Sequence, residues 1–483
     1  MASTFHIENF GCRAARADGE AIAALLRNSG SAESLPAEAE VVIVNTCSVT
    51  AEADREARAF IRRAHRNNPE ARIIATGCYA QRAPEELAAL PGIAAVIGNS
   101  HKALAPEIAL RLMPFRTPST DGLIQIQTAK AATAAPQVFA DDTFAHSFLE
   151  EAPITSGAQT RPNLKIQEGC SNRCSFCVIP QTRGNSRSLP SSAVLENVRS
   201  FAAAGGNELV LSGINLGRWG RDLERSSSEP RTLAAIVRAI FNQTSLPRLR
   251  LSSIEPMDWD ADLISTVREF SGNRLAPHAH LPLQSGSDSV LRRMHRRYRP
   301  WHYAEKMAEL LRAAGPALTI GADVMVGFPG ETDREFQESY DFIGSLPFGY
   351  LHLFPFSPRP GTRAWTLHAE SPISVSIVSE RMSALRLLAA EKTYAHRAQF
   401  ISAELEAITL HTPAALAASG RTSTLTDNFI PVEIAAALPA NQLLPIQITG
   451  IAPDGSLVAV PSQFNARPRF QSEPSEPLME TVV

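Results

Sequence analysis

The chain of 483 residues is predicted to have an α/β fold in three parts: an N-terminal doubly wound α/β domain, a central partial (β/α)6 barrel and a small C-terminal β-barrel. Strand-like apolar runs alternate with helical stretches over the first hundred residues, and the same alternation resumes after residue 161. From residue 401 onward, only short strands with turn residues follow. The predicted boundaries are 1–114, 115–160 (linker), 161–372, 373–400 (connecting helix), 401–461 and 462–483 (disordered tail).

The N-terminal domain is predicted to have strands at 4–9, 41–45, 72–76 and 95–97, with helices at 19–27, 51–67 and 84–90. Cys12, Cys47 and Cys78 each come just after one of the first three strands. Because the loops that follow parallel strands meet at one edge of a sheet, these three thiols are expected to converge in space. The alternative interpretation is three small buried hydrophobic residues.

The central part is predicted to have six strands, at 164–167, 208–211, 248–252, 279–283, 319–326 and 350–356, with intervening helical stretches such as 191–204, 233–242, 289–294 and 301–314. Six repeats are too few for a complete eight-fold barrel and predict a partial one, with its site in the loops after the strands. An amphipathic helix at 377–400 leads to short strands at 403–410, 423–425, 429–434, 443–451 and 457–460, which predict the small β-barrel.

A C-x₃-C-x₂-C motif, formed by Cys170, Cys174 and Cys177, follows the first of the six strands. This spacing lets one loop bind three corners of a cubane iron–sulfur cluster and leaves the fourth iron open. Six cysteines in so long a chain do not suit a disulfide framework, and the N-terminus does not resemble a secretory signal. We therefore expect a cytoplasmic protein without a membrane span. The net charge of −3 means that any RNA binding would depend on local basic patches.

The motif and its position resemble those of the radical S-adenosylmethionine enzymes. With three further cysteines and a C-terminal barrel similar to a TRAM domain (through 425–430 and 443–450), the chain resembles the methylthiotransferases of that superfamily. It is most similar to the branch that methylthiolates N6-threonylcarbamoyladenosine beside the tRNA anticodon. The matching stretches are 9–13, 45–47, 76–78, 182–184, 187–188, 252–256, 282–287 and 326–332.

The resemblance implies two [4Fe–4S] clusters and S-adenosylmethionine as cofactors. Cys170, Cys174 and Cys177 would bind the cluster that cleaves S-adenosylmethionine, and Cys12, Cys47 and Cys78 the cluster that handles sulfur. A structural zinc ion is the alternative for the second set. Glu208 would pair with the methionyl ammonium group, and Phe176 would pack on the adenine or simply be buried. The other residues expected at the cofactor are Asn215, Ser253, Glu255, Gln284, Ser285, Gly327 and Pro329.

The implied partners are a tRNA anticodon arm, a flavodoxin- or ferredoxin-like electron donor and an unidentified sulfur donor. Two arginine groups are candidate phosphate contacts or solvated faces, and include Arg62, Arg66, Arg292, Arg293, Arg296 and Arg297. Whether the C-terminal barrel, which has few basic residues, binds RNA stays open. Two other substrates also stay open as alternatives, N6-isopentenyladenosine in tRNA and an aspartate of a ribosomal protein. A non-catalytic RNA-binding protein with structural zinc is the alternative of a different class.

Overall fold

The computed structural model describes residues 2–113, 135–144, 159–223 and 229–462. The chain divides into two compact units, Met1–Gln399 with Asp427–Phe429, and Phe400–Thr426 with Ile430–Val483. Most of the predicted linker and all but the first residue of the predicted tail lie outside the described residues. Among the described helices, none has the length and apolar character that a membrane span requires.

The N-terminal part of the first unit is a six-stranded parallel sheet in the order β2-β1-β3-β4-β5-β6. Its strands are β1 (Thr4–Asn9), β2 (Ala32–Glu33), β3 (Val41–Thr46), β4 (Arg72–Gly77), β5 (Ile93–Gly98) and β6 (Gln137–Phe139). Its helices are α1 (Arg13–Asn28), α2 (Ala51–Asn67), α3 (Cys78–Arg82), α4 (Pro84–Ala88) and α5 (Ala105–Leu112). Alternate residues of β3 enter two separate apolar cores, one on each face, because helices cover both faces of the sheet.

The central part contains six barrel strands in two sheets, β10-β9-β7-β8 and β11-β12-β13. Neighbouring barrel strands within each sheet are parallel, and the short strand β8 is antiparallel to β7. The strands are β7 (Asn163–Glu168), β8 (Arg187–Ser188), β9 (Glu208–Gly213), β10 (Arg248–Leu251), β11 (His278–His280), β12 (Thr319–Val326) and β13 (Tyr350–Pro355). The helices are α6 (Ile179–Arg183), α7 (Ser191–Ala203), α8 (Leu233–Gln243), α9 (Ala261–Phe270), α10 (Asp288–Arg293), α11 (Pro300–Ala314), α12 (Asp333–Ser345), α13 (Arg363–Glu370) and α14 (Val375–Ala398).

Barrel strands alternate apolar and polar residues, and the alternation separates a helix-facing core from a polar interior. In β9, Leu209 and Leu211 belong to the apolar core, while Glu208 and Ser212, which alternate with them, do not. The same period places Lys165 of β7 among the polar residues. A complete barrel fills its interior with apolar layers, whereas this interior is lined by polar side chains. Charged ligands and charged side chains can therefore be accommodated there.

The second unit is a closed five-stranded β-barrel in the order β14-β15-β16-β18-β17. Its strands are β14 (Glu404–Thr409), β15 (Thr422–Thr426), β16 (Pro431–Ile434), β17 (Leu443–Ile451) and β18 (Leu457–Pro461), with the short helix α15 (Ala414–Ala418). Closure removes unpaired strand edges around a small apolar core.

The predicted fold class is confirmed in all three parts. The differences lie in element ends and short strands. Helix α1 begins at Arg13, six residues before the predicted start, because apolar periodicity misses a first turn rich in alanine and arginine. Strands β2, β6 and β8 have two or three residues each and were too short to stand out in the sequence.

Candidate active site

The loop that carries the C-x₃-C-x₂-C motif begins directly after β7. Gly169 joins strand to loop with φ +69°, and a Cβ there would lie 2.0 Å from the carbonyl oxygen of Asn185, so only glycine fits. The backbone N–H of Cys170 donates to the carbonyl of Gly184 across 3.0 Å. One short, anchored loop thus holds all three thiols of the motif: Cys170, Cys174 and Cys177.

Several N–H groups are directed at the sulfur atoms of this loop. Arg296 Nη1 lies 3.3 Å from Cys174 Sγ, and Asn215 Nδ2 lies 3.7 Å from Cys170 Sγ. Burial and the neighbouring Cys174 raise the pKa of Cys177 to about 12, so a bound cation is needed to keep this thiol ionised at neutral pH. An iron–sulfur cluster supplies the cation that these thiolates need, and N–H donors around its sulfur ligands are what such a cluster requires. The three cysteines and their donors therefore fit a cluster.

The second set of thiols lies at the carboxyl edge of the N-terminal sheet. Cys12 follows β1, Cys47 follows β3, and Cys78 opens α3 directly after β4. Gly11 has φ +100°, and a Cβ there would lie 2.3 Å from the Cys47 Cβ, so the glycine permits the close approach. Burial, followed by the charges of Cys12 and Cys78, raises the pKa of Cys47 to about 12, which again calls for a bound cation.

All six cysteines lie in the described part of the chain, and each is a free thiol. The disulfide alternative is therefore absent from this structure. A zinc ion at the second set would need a fourth ligand, but two histidines of this domain, His6 and His101, have other partners. His6 instead contacts Ser34 and Glu8, and His101 contacts Ser100.

A buried ionic network connects the two cysteine regions. Glu168, the last residue of β7, accepts from Lys102 across 2.6 Å and from Arg183 across 2.6 Å, and also pairs with Lys165. Asp18 of α1 pairs with the same three cations. These opposite charges lower the pKa of Glu168 well below its usual range despite burial. Three cations against two carboxylates leave one formal positive charge in the network.

That excess charge lies beside a thiol of the second set. Arg183 Nε donates to Cys78 Sγ across 3.2 Å, and Asn99 Nδ2 donates to the same sulfur across 3.4 Å. Asn99 also donates to the carbonyl of Thr182 across 2.8 Å. A thiolate at Cys78 is thereby stabilised by one charged and one neutral donor, and it balances the network.

Four predicted cofactor residues follow the carboxyl ends of barrel strands: Asn215, Ser253, Glu255 and Gln284. Two of them have buried acceptor atoms with no hydrogen bond among the described residues, namely Asn215 Oδ1 and Gln284 Oε1. Gln284 also has φ +68°, which a residue other than glycine rarely adopts. Unpaired buried acceptors and backbone strain at this edge suit a ligand-binding role.

The other two already have partners in the protein. Glu255 accepts from Arg296 Nη2 with both carboxylate oxygens, each at 2.7 Å, and Ser253 Oγ lies 2.6 Å from His280 Nδ1. Ser285, a fifth predicted residue, is buried against Ser339 of α12 at 2.9 Å.

The remaining predicted residues shape the surroundings. Phe176 is partly buried and packs against the barrel core. Gly327 has φ +76° and its N–H donates to Glu331 Oε2 across 3.0 Å, so this glycine forms the turn after β12. Pro329 is buried in the same turn.

Glu208 does not lie at this edge. It begins β9, and a six-residue strand at about 3.3 Å per residue separates it from the cysteine loop. Its carboxylate is fully buried between Arg250 Nε at 2.8 Å, Arg161 Nε at 2.7 Å and Arg248 Nη1 at 3.2 Å. The prediction that Glu208 binds the methionyl ammonium is therefore wrong, because its charge is already compensated and it is at the opposite end of the strand.

The predicted RNA-binding arginines separate into two groups. Arg293 contacts both carboxylate oxygens of Glu335 at 2.8 Å, and Arg296 is buried against Glu255. Neither is available to phosphate without breaking these pairs. The other four are exposed: Arg62, Arg66, Arg292 and Arg297.

Sequence reasoning missed the roles of Asp18, Lys102 and Glu168 in the ionic network. The one feature that distinguishes these residues in the sequence is a charge within an apolar or alanine-rich segment. Charges in such segments are common on solvated helix faces, so this feature does not indicate burial. Arg183 stood in a stretch that matched the family, but its contact with Cys78 spans 105 positions.

Comparison with known proteins places this geometry in a family. Residues 4–98 match the uncharacterized protein family UPF0004, and residues 164–343 match the radical SAM superfamily. The threonylcarbamoyladenosine tRNA methylthiotransferase MtaB of Bacillus subtilis (strain 168) is 33% identical over 408 residues, which are 84% of each chain. The chain belongs to the radical S-adenosylmethionine methylthiotransferases. The protein uses two [4Fe–4S] clusters and S-adenosylmethionine, the cofactors of this family.

Other relatives define the breadth of this family. The tRNA-2-methylthio-N(6)-dimethylallyladenosine synthase of Erythrobacter litoralis (strain HTCC2594) is 32% identical over 391 residues, 79% of this chain and 81% of the relative. Among solved structures, the radical S-adenosylmethionine methyltransferase TsrM from Kitasatospora setae has a TM-score of 0.50 at 16% identity, over 77% of this chain and 78% of that one. This second similarity concerns the fold alone.

Proposed function

We propose that this methylthiotransferase replaces the C2 hydrogen of N6-threonylcarbamoyladenosine, next to the tRNA anticodon, with a methylthio group. The observation that carries the proposal is the pair of three-thiol sets joined by the buried Arg183–Glu168 ion pair. One set suits cleavage of S-adenosylmethionine, and the other suits handling of sulfur. The similarity to the Bacillus subtilis relative supports the choice of substrate.

The residues of the first set would hold a cluster and leave one iron open for S-adenosylmethionine. When bound, the reduced cluster supplies the electron that cleaves the cofactor. Arg296 stabilises the thiolate of Cys174 and fixes the Glu255 carboxylate at the rim. Asn215 and Gln284 offer buried acceptors toward the ligand, so these two are the better candidates for direct cofactor contact.

The residues of the second set would hold the sulfur-handling cluster. Arg183 and Asn99 donate to Cys78 and keep its sulfur in one position, because both side chains are buried and anchored elsewhere. Positioning of this kind holds the reacting groups in a productive geometry and excludes water. A flavodoxin- or ferredoxin-like electron donor and a separate sulfur donor are part of the proposal.

The RNA would approach through exposed basic residues. The side chains of Arg62 and Arg66 of α2 form no ion pair among the described residues and suit contact with phosphate. The exposed side chain of Arg292 pairs with the half-buried Asp288 and is also able to reach phosphate. Single-stranded loops present unpaired bases at little cost, which suits an anticodon arm. We also propose that the protein works in the cytoplasm, where cysteine thiols stay reduced.

The test uses tRNA nucleosides from a deletion strain, analysed by mass spectrometry. Threonylcarbamoyladenosine should accumulate without its methylthio derivative, and the wild-type gene should restore that derivative. A variant with Cys170, Cys174 and Cys177 changed to Ala should restore nothing and form no deoxyadenosine in vitro. A variant with Cys12, Cys47 and Cys78 changed to Ala should still form deoxyadenosine without methylthiolation.

The same experiment separates the alternatives. Accumulation of isopentenyladenosine would transfer the assignment to the dimethylallyl branch, and an unmodified ribosomal-protein aspartate would transfer it to the protein-modifying branch. Unchanged nucleosides together with a colourless, zinc-containing protein would replace the enzyme with an RNA-binding protein.

A further inference from the structure

We propose that His280, Asp323 and His352 form a binding site for a divalent transition-metal ion inside the partial barrel, separate from both cysteine sets. The three residues lie on the adjacent strands β11, β12 and β13. Their ligand atoms all lie within 4.8 Å of one another. The inference does not depend on the proposed substrate.

The distances suit a shared ion. His280 Nε2 and His352 Nδ1 each lie 3.2 Å from the same carboxylate oxygen, Asp323 Oδ1. At ligand bonds of about 2.1 Å, neighbouring donor atoms are roughly 3.0 Å apart in an octahedral site and roughly 3.4 Å apart in a tetrahedral one. Both measured separations fall between these values.

The environment of His280 prepares one nitrogen for a metal. Its Nδ1 lies 2.6 Å from Ser253 Oγ, the kind of second contact that orients a metal-binding imidazole. Its Nε2 is buried and has no hydrogen bond among the described residues, although Asp323 Oδ1 is only 3.2 Å away. The buried Nε2 and the Asp323 oxygen face each other at 3.2 Å without a well-aligned hydrogen bond, so a cation between them would bind both.

The donor set indicates the class of ion. Two imidazoles and one carboxylate bind Fe²⁺, Zn²⁺ and related first-row ions, and leave positions open for water or an oxygen ligand. The site is also reachable, because the His280 side chain is 8% exposed whereas that of His352 is 59% exposed. An ion can therefore enter from the β13 side, and its open positions would face the same side.

Mn²⁺ is a suitable probe, because it favours oxygen and imidazole ligands over thiolates and so avoids the cysteines. The anaerobic protein with both clusters assembled would be titrated with Mn²⁺, and the free ion followed by room-temperature electron paramagnetic resonance. We expect one saturable site per chain, from which Zn²⁺ displaces Mn²⁺, as the order of metal affinities requires.

Two variants and one control test the residues. Asp323→Asn and His352→Gln should each weaken Mn²⁺ binding about tenfold or more. His411→Gln, an exposed histidine of the C-terminal unit, should bind as the wild type does. Iron content is measured in every sample to verify that the clusters are intact.

The proposal is overturned if the wild type shows no saturable Mn²⁺ or Zn²⁺ binding, or if both variants bind as tightly as the wild type. If Asp323→Asn does not fold, His352→Gln decides the matter, because this exposed side chain can be changed without disturbing the core.

Discussion

Arg183 donates its Nε–H to Cys78 Sγ across 3.2 Å, and its Nη1 pairs with Glu168 across 2.6 Å. Glu168 is the second residue before Cys170, so a single buried guanidinium connects a thiol of one cysteine set to the strand that leads into the other. The two sets therefore have a defined mutual position, which is needed if both act on one base.

The first prediction concerns the electrostatics of this contact. Arg183→Lys keeps the buried charge but removes the fixed donor to Cys78, so the reduction potential of the second cluster should fall. A donor worth about 1 kcal/mol more to the reduced state shifts a one-electron potential by roughly 40 mV. Potentiometric titration followed by electron paramagnetic resonance measures the shift.

Arg248→Lys is the matched control, because Arg248 is equally buried but pairs with Glu208, away from both cysteine sets. Its two cluster potentials should equal those of the wild type. Identical potentials in Arg183→Lys and the wild type would mean that the donor has no influence on the second cluster.

The second prediction assigns two neighbouring arginines to different tasks. Arg296→Lys should reduce deoxyadenosine formation by about tenfold or more, because it loses the donor to Cys174 and loosens Glu255. Its tRNA affinity should not change. Arg292→Gln should leave cofactor cleavage intact, weaken tRNA binding and lower the salt slope of log K by about one unit, because Arg292 is exposed.

These two variants are each other's controls. Both change one arginine of the same short segment. A general loss of folding would lower deoxyadenosine formation and tRNA binding together, whereas each variant is expected to change only one of the two. The assignment fails if Arg296→Lys reduces tRNA affinity and spares cofactor cleavage.

The third prediction concerns pH and the long helix α14. Burial, followed by the charge of Arg397, lowers the pKa of His396 to about 4, and its Nε2 lies 2.8 Å from Thr319 Oγ1. The folded state therefore holds His396 neutral, while the unfolded chain takes up a proton near pH 6.5. Stability is complete above about pH 6.5 and falls as the pH drops toward about 4.

Between about pH 7.5 and about pH 5.8, the expected loss is about 1 kcal/mol, or roughly a five-fold increase in opening of α14 against β12. Hydrogen exchange with mass spectrometry, corrected for the intrinsic exchange rate, measures it. His396→Gln cannot titrate, and its opening should be constant over this range. A parallel pH response in the variant would assign the effect to another group.

Local sequence patterns predicted much of the site. The spacing of Cys170, Cys174 and Cys177 places three thiols on one loop whatever the rest of the fold. The position of Cys12, Cys47 and Cys78 after successive strands predicted their meeting, because parallel strands share a carboxyl edge. Glu208 shows the limit, because the strand was correctly predicted to begin at this residue, but its carboxylate pairs with three buried arginines at that end of the strand and does not reach the cysteine loop.

The sequence by itself determined the periodicity of strands and helices and the two thiol sets, because one set lies on a single loop and each thiol of the other directly follows its own parallel strand. Only the tertiary structure decided which buried charges meet. Arg183 reaches Cys78 across 105 positions, and Arg296 reaches Glu255 across 41. A buried charge must find an opposite partner because desolvation is costly, and the partner is chosen by strand register and helix packing, which local pattern does not contain.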